Sequence, residues 1–291
     1  MNAHRWYTPW LMLAVPLILL AVFSLWPAVN TVVLSFTNVR MISGGYFVGL
    51  RNFSLIFEDE RLRDALLNTA IFVVLFVPLL TFLPLLLSLL VHSRLPFIGF
   101  FRTVFYFPVI ASVVAVALIW QWLLDDRGPV NQLAQQMGLI KQAIPFLTDR
   151  WLLILSVTAL TVWRGLGFYM LLYLSALGNV RRELHEAAAV DGAGRLRRFW
   201  SITVPSIRGR MVLVAVLIVI ASMRIFTEIY ILGGPQGGVG GQNVTVVMLI
   251  QQAVLGADGR IGYASALSVF LFALTIGPLL LLAYLNKRSE A

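Results

Sequence analysis

The chain has 291 residues, of which 59% are hydrophobic and only 12% charged, with a mean hydropathy of +0.87. Soluble domains carry about 25% charged residues, so a soluble globular protein is excluded and an integral membrane protein is indicated. The absence of Cys excludes disulfides, thiolate metal sites and cysteine nucleophiles together, and the net charge of +9 calls for a look at where the charges lie before nucleic acid is considered.

Apolar runs predict an all-α fold with six membrane spans at roughly 10–37, 67–91, 103–124, 151–177, 211–232 and 263–286, each meeting the about 20-residue requirement of a hydrocarbon core. An even number puts both termini on one side. If that side is the cytoplasm, the inner segments hold twelve positive against four negative residues, among them Arg5, Arg94, Arg102, Lys287 and Arg288, while the outer loops hold eight of each sign. That asymmetry orients a bilayer protein, and nucleic acid is not needed to explain the charge.

In the first span Pro16 and Pro27 predict kinks, and Trp6, Tyr7 and Trp10 stand where an interfacial belt belongs. The loop 38–66 contains Gly49-Leu50-Arg51-Asn52-Phe53, then a charged stretch, Glu58 to Asp64, that reads as a short surface helix. Span two carries Asn68 and Thr69 at its outer end and Pro78 and Pro84 inside. The loop after it, His92 to Arg102, turns the chain at Pro96 and Gly99. Loop 125–150 is polar, with Gly128-Pro129-Val130-Asn131.

Span four holds Trp163-Arg164-Gly165-Leu166-Gly167-Phe168 near its middle. An arginine inside a membrane costs several kcal/mol unless it meets water, carbonyls or a counter-charge, so Arg164 is either a site residue or a tether to a neighbouring helix. Arg224 and Glu228 in span five are four apart, and the simplest reading pairs them on one helix face. Phe226 and Tyr230 are candidate ring-stacking residues. The glycines from Gly233 and Gly234 to Gly241 form an irregular loop, not a phosphate loop, because no Gly-Lys-Ser/Thr follows.

Between spans four and five lies a basic segment, 181–208. It reads as a helix from Arg182 to Val190, a turn at Asp191-Gly192, and a second helix from Gly194 to Ile202 closed by Pro205. A positive-inside loop explains Arg195, Arg197, Arg198, Arg208 and Arg210 but not the spacing of Glu186-Ala187-Ala188, Gly192, Ile202 and Val204-Pro205. A zinc-hydrolase reading of His185-Glu186 fails because position 189 is Ala.

This spacing resembles the docking loop of the membrane subunits of binding-protein-dependent ABC importers, with Val204 where the family usually has Leu. Across nearly its whole length the chain is similar to the MalF/UgpA-like inner-membrane permeases of carbohydrate ABC importers. The resemblance implies a type I importer permease fold with cytoplasmic termini in a bacterial cell membrane. It also implies a second homologous permease, an ATP-binding subunit dimer that hydrolyses ATP with Mg, and an extracytoplasmic solute-binding protein contacted in part by loop 125–150. By the same resemblance the ATPase docks on Glu186, Ala187, Ala188, Asp191, Gly192, Phe199, Ile202 and Pro205, with Glu186 making an ionic contact, Gly192 the turn, and Phe199 and Ile202 the apolar anchors.

The chain has no Walker motif and no nucleophile–base or metal constellation of its own, so no bound cofactor and no enzyme activity are expected. Arg164, Arg224, Phe226, Glu228, Tyr230 and Gly234 are the candidates for the solute path. The solute is a sugar or, as in one branch of the family, glycerol phosphate or a glycerophosphodiester. An ion-coupled secondary transporter would need mid-membrane titratable groups and shows inverted repeats, and only Glu228, near an outer end, is present. A membrane-embedded enzyme lacks support because His4, His92 and His185 all fall outside the spans.

Overall fold

The computed structural model describes residues 8–91 and 98–290; Arg5, Trp6, Tyr7, Arg94 and Pro96 lie outside the described residues, as do the side chains of Lys287 and Arg288. The described chain is helical, its only extended pairing being an isolated bridge between Thr37 and Phe47. Five helices are long and apolar enough to cross a membrane, or six if one bent pair counts as a single span. The chain divides into two compact units, Met1–Leu62 with Leu249–Ala273, and Arg63–Met248 with Leu274–Ala291.

In the first unit a helix runs through Thr8–Leu20, a π turn at Ala21–Leu25 and Trp26–Ser35. Along its most apolar stretch no residue is buried, and Phe23 and Trp26 are exposed. Asn52, 5% exposed, donates to the carbonyls of Ser35 and Thr37 at 2.8 and 2.7 Å and ties off the helix end. The Gly-Leu-x-Asn-Phe stretch is therefore a clamp. A Cβ on Gly262 would run into the Thr37 carbonyl oxygen, so glycine is what lets helix Ile261–Glu290 start beside it. Asp59 accepts from the Tyr263 hydroxyl at 2.8 Å, and Arg61 reaches Gln252.

The charged stretch after Asn52 is not one surface helix. Arg51–Glu58 is a short helix, the chain extends at Asp59, and Glu60 already opens the 32-residue helix Glu60–Val91, with the Asp59 carboxylate accepting from Arg61 N–H at 3.0 Å. Pro78 and Pro84 sit inside that helix without ending it. Beyond it, Gly99 is helical rather than part of a turn, and Arg102 donates to the Val91 carbonyl at 3.0 Å, capping a helix C-terminus with a cation.

The span expected at 103–124 is two helices, Ile98–Ile110 and Val113–Leu124, and the chain axis turns by 95° between Gly99–Ile110 and the stretch Val113–Gln136. Val109, Ile110, Val113 and Val114 surround the break, and β-branched residues are weak helix formers. Pro108 has already removed one backbone donor from the first piece.

Helix Arg150–Leu177 starts from Asp149, whose carboxylate accepts from the N–H groups of Trp151 and Leu152, each at 2.9 Å. It crosses Ile98–Ile110 at Gly167, where a Cβ would collide with the Phe105 carbonyl oxygen and lie 2.8 Å from Tyr106 Cα.

The fifth span differs from expectation at both ends. Pro205 does not close a helix: Arg195–Arg198, a π turn at Phe199–Thr203 and Val204–Met223 run on as one rod. A proline in an α-helix clashes with the carbonyl four residues back, and a wider π turn relieves the crowding. The first helix does the same, its π turn ending two residues before Pro27. At the far end helical geometry stops at Met223 and resumes at Thr227–Leu232. The Gly-rich loop that follows is pinned within the second unit. Asn68, fully buried, donates to the Gln242 and Val244 carbonyls at 2.8 and 2.9 Å, and Asn243 donates to the Arg150 carbonyl at 2.9 Å. A ten-residue helix, Val246–Leu255, follows and is too short to cross a bilayer.

Candidate functional site

Two places in the second unit carry the expected site residues, and the rod Arg195–Met223 joins them.

The first is the elbow between helices Arg182–Val190 and Arg195–Arg198. Gly192 stands at φ +77°. Its N–H donates to the Ala189 carbonyl at 3.1 Å, and Ala193 N–H donates to the Ala188 carbonyl at 2.8 Å. This crossed pair is a Schellman motif, and it requires the left-handed conformation that glycine adopts without steric cost. Arg198 donates to the His185 carbonyl at 3.2 Å and folds the second helix back on the first.

Glu186 pairs with Arg182 at 2.8 Å, with the two side chains 62% and 84% exposed. A pair that exposed is worth about 0.3–0.5 kcal/mol, so Glu186 can exchange partners at little cost. Ala187 and Asp191 are exposed, Ala188, Phe199 and Ile202 half-buried, and Pro205 exposed. None of Arg182–Val190 is buried, yet the elbow presents Leu184, Val190, Leu196 and Trp200 outward, Val190 with 88% of its surface free. Apolar side chains gathered on a basic, otherwise polar loop mark a surface made to be covered.

The second place is a cavity of about 320 Å³. One wall is a stripe of helix Arg150–Leu177 at i, i+3, i+4 and i+7, namely Thr161, Arg164, Gly165 and Phe168. Phe76 and Leu80 line another side, and Ser222, Arg224 and Glu228 complete it. Arg164 therefore faces the cavity, while Trp163 on another face meets Trp120 at 6.1 Å between ring centroids.

Glu228 does not pair with Arg224. Its carboxylate lies 3.5 Å from Arg164 Nη1, with side chains 13% and 31% exposed. The break at Arg224, Ile225 and Phe226 removes the i,i+4 register on which the expected pair depended. The Ile225 carbonyl freed there accepts from the Thr245 hydroxyl at 3.1 Å, and Gln121 donates to the Ile231 carbonyl at 2.8 Å. Irregular backbone inside a span is thus satisfied by protein donors.

Phe226 and Tyr230 pack on each other, centroids 5.1 Å apart, and neither is among the residues lining the cavity. Gly234, at φ +78°, belongs to the loop and does not line it either. Thr161, Phe168 and Ser222 are among the wall residues not named for the solute path from sequence, Phe168 standing there only as part of the span-four motif. The stripe spacing around Arg164 was the signal available for the first two. Among the described residues no group of three or more His, Asp or Glu side chains is placed to hold a metal ion.

Residues 41–290 match the family model described as binding-protein-dependent transport system inner membrane component. The chain is 30% identical to the lactose transport system permease protein LacF of Rhizobium radiobacter over 97% of this chain and 94% of that one. It is also 30% identical to the arabinooligosaccharides transport system permease protein AraP of Halalkalibacterium halodurans, over 92% and 85%. Its fold is shared with a bacterial ABC transporter involved in the import of the acidic polysaccharide alginate, at TM-score 0.85 and 23% identity over 97% and 96% of the two chains.

Proposed function

Because the chain belongs to the binding-protein-dependent transport system inner membrane component family, we propose that loop 181–208 receives the stroke of a partner ATPase and that the rod Arg195–Met223 delivers it to the cavity. The chain is a multi-pass inner-membrane permease subunit of a sugar ABC importer. The observation that carries the coupling reading is the continuous helix between the two places. From Ile202 to Ser222 it spans about 30 Å at 1.5 Å per residue. A rigid element of that kind turns displacement at one end into displacement at the other.

In this mechanism both termini and loop 181–208 lie in the cytoplasm. A second permease completes the path, an ATP-binding dimer supplies the energy, and a solute-binding protein loads the outer face. ATP binding closes the dimer, the elbow moves with it, and the permease pair opens outward. Glu186 trades Arg182 for a cation on the ATPase, while Val190, Leu196 and Trp200 are buried by it, each apolar side chain contributing about 1.5–3 kcal/mol when fully covered. The break at Arg224–Phe226 is the hinge that lets the cavity wall follow, and Arg164, Arg224, Glu228 and Phe168 present polar groups and a ring face to a sugar.

The test is ATP-driven solute uptake in proteoliposomes holding the whole complex and its binding protein. Wild type is expected to couple hydrolysis to uptake, while Glu186→Ala and Gly192→Pro lower both or leave hydrolysis without uptake. Uptake unchanged in both variants would reduce the loop to a basic surface turn.

A further inference from the structure

The charges around the cavity are Arg164, Arg224 and Glu228, a net of one positive. Arg164 and Glu228 answer each other at 3.5 Å. Arg224 is exposed, lines the cavity and takes part in no ion pair among the described residues.

Its position explains how it is tolerated. Arg224 is the C-cap of helix Val204–Met223, where the helix dipole supplies roughly half a negative charge, which offsets the cation only in part. A guanidinium left with half a counter-charge inside a membrane protein is costly, and such groups face a partner or a polar cavity. The Arg164 guanidinium is also incompletely used. Its Nη1 meets Glu228, whereas its Nε is buried with no partner. One turn along from Arg164 on the same helix stripe, Phe168 also lines the cavity and is 43% exposed.

Resting on the importer reading, we infer that this cavity selects a sugar bearing a single negative charge, with its carboxylate or sulfonate on Arg224 and its ring over Phe168. A net of one positive matches a monoanion. A phosphomonoester, with close to two negative charges at neutral pH, would be left half-answered. The planar fork of arginine holds carboxylate and sulfonate oxygens with two parallel N–H donors, which a neutral sugar hydroxyl cannot match. The Arg164–Glu228 pair keeps the rest of this chain's wall neutral, so this subunit contributes one positive charge to the site rather than two.

The experiment is equilibrium binding to the purified permease–ATPase complex without its binding protein. The probes are glucuronate, galacturonate and mannuronate, each against its neutral methyl ester, with 6-deoxy-6-sulfoglucose against glucose. At least one acid is expected to bind roughly ten- to hundredfold more tightly than its neutral partner, the range for a charge-assisted hydrogen-bonded pair. In Arg224→Gln the acid-over-neutral preference disappears, and Arg224→Lys restores part of it. A uronate winning without the sulfonate, or the reverse, names the anion.

Acids that bind no better than their neutral partners, or do not bind at all, overturn the inference. So does an Arg224→Gln complex that falls apart, because Arg224 would then be a tether between subunits. Uptake by the wild-type complex keeps the two readings separate: ATP-driven import confined to neutral sugars would leave the importer standing and this assignment refuted.

Discussion

Gly192→Ala isolates the backbone requirement at the elbow. A Cβ built on Gly192 would have nothing within 4 Å, so alanine adds no clash and the change acts through φ alone. At φ +77° an L-residue other than Gly, Asn or Asp is strained by about 1–2 kcal/mol. If the Schellman turn is the conformation the ATPase binds, that strain appears as lost docking affinity of roughly five- to thirtyfold. Gly192→Asn recovers most of it, since Asn tolerates the left-handed region. The assay is the dissociation constant between the permease complex and its ATPase subunit, measured for Gly, Ala and Asn at position 192. Alanine equal to wild type, or asparagine as weak as alanine, would refute the reasoning.

Three further outcomes follow from the second unit. Gly167→Ala drives a methyl into the Phe105 carbonyl and the Tyr106 backbone, which cannot swing aside, so thermal melting in detergent should show a loss of about 1–3 kcal/mol. Gly165→Ala meets the movable Leu80 side chain at 3.0 Å, with Tyr169 in ordinary contact at 3.5 Å, and should cost less. Asn68→Leu strips the donors from the Gln242 and Val244 carbonyls; the buried Val244 orphan alone costs about 1–3 kcal/mol, and hydrogen exchange should quicken across 242–246. Glu228→Gln leaves Arg164 without its carboxylate, and a double-mutant cycle with Arg164→Met should return a coupling of about 1–3 kcal/mol. A cycle of Glu228→Gln with Arg224→Met should return much less.

The helical character was plain from the sequence, because apolar runs of this length have few other solutions. The elbow was legible because its turn is local: an Asp-Gly after an Ala-rich helix needs only neighbouring residues to form. What escaped depended on atoms far apart in sequence. The 95° bend at 110–113 sits inside an unbroken apolar run, and hydrophobicity alone does not register a change of axis. The Arg224–Glu228 pairing failed because the i,i+4 rule presumes a continuous helix, whereas here Thr245 holds the Ile225 carbonyl open across the break. Pro205 was read as a stop, yet a π turn at Phe199–Thr203 makes room for its ring. Helix Val246–Leu255 was hidden in a stretch too short to read as a span.

That force enters this subunit at residues 181–208 is tested most directly by thiol protection. The chain contains no Cys, so a single introduced thiol is read without background. Val190→Cys and Leu196→Cys report the elbow, and Leu139→Cys, 71% exposed, reports loop 125–150. The maleimide labelling rate would be compared for the permease pair with and without its ATPase dimer. Slowing of roughly tenfold or more at 190 and 196, with 139 unchanged, is the expected result for a buried interface. Equal rates at 190 and 196 in the intact complex would contradict it.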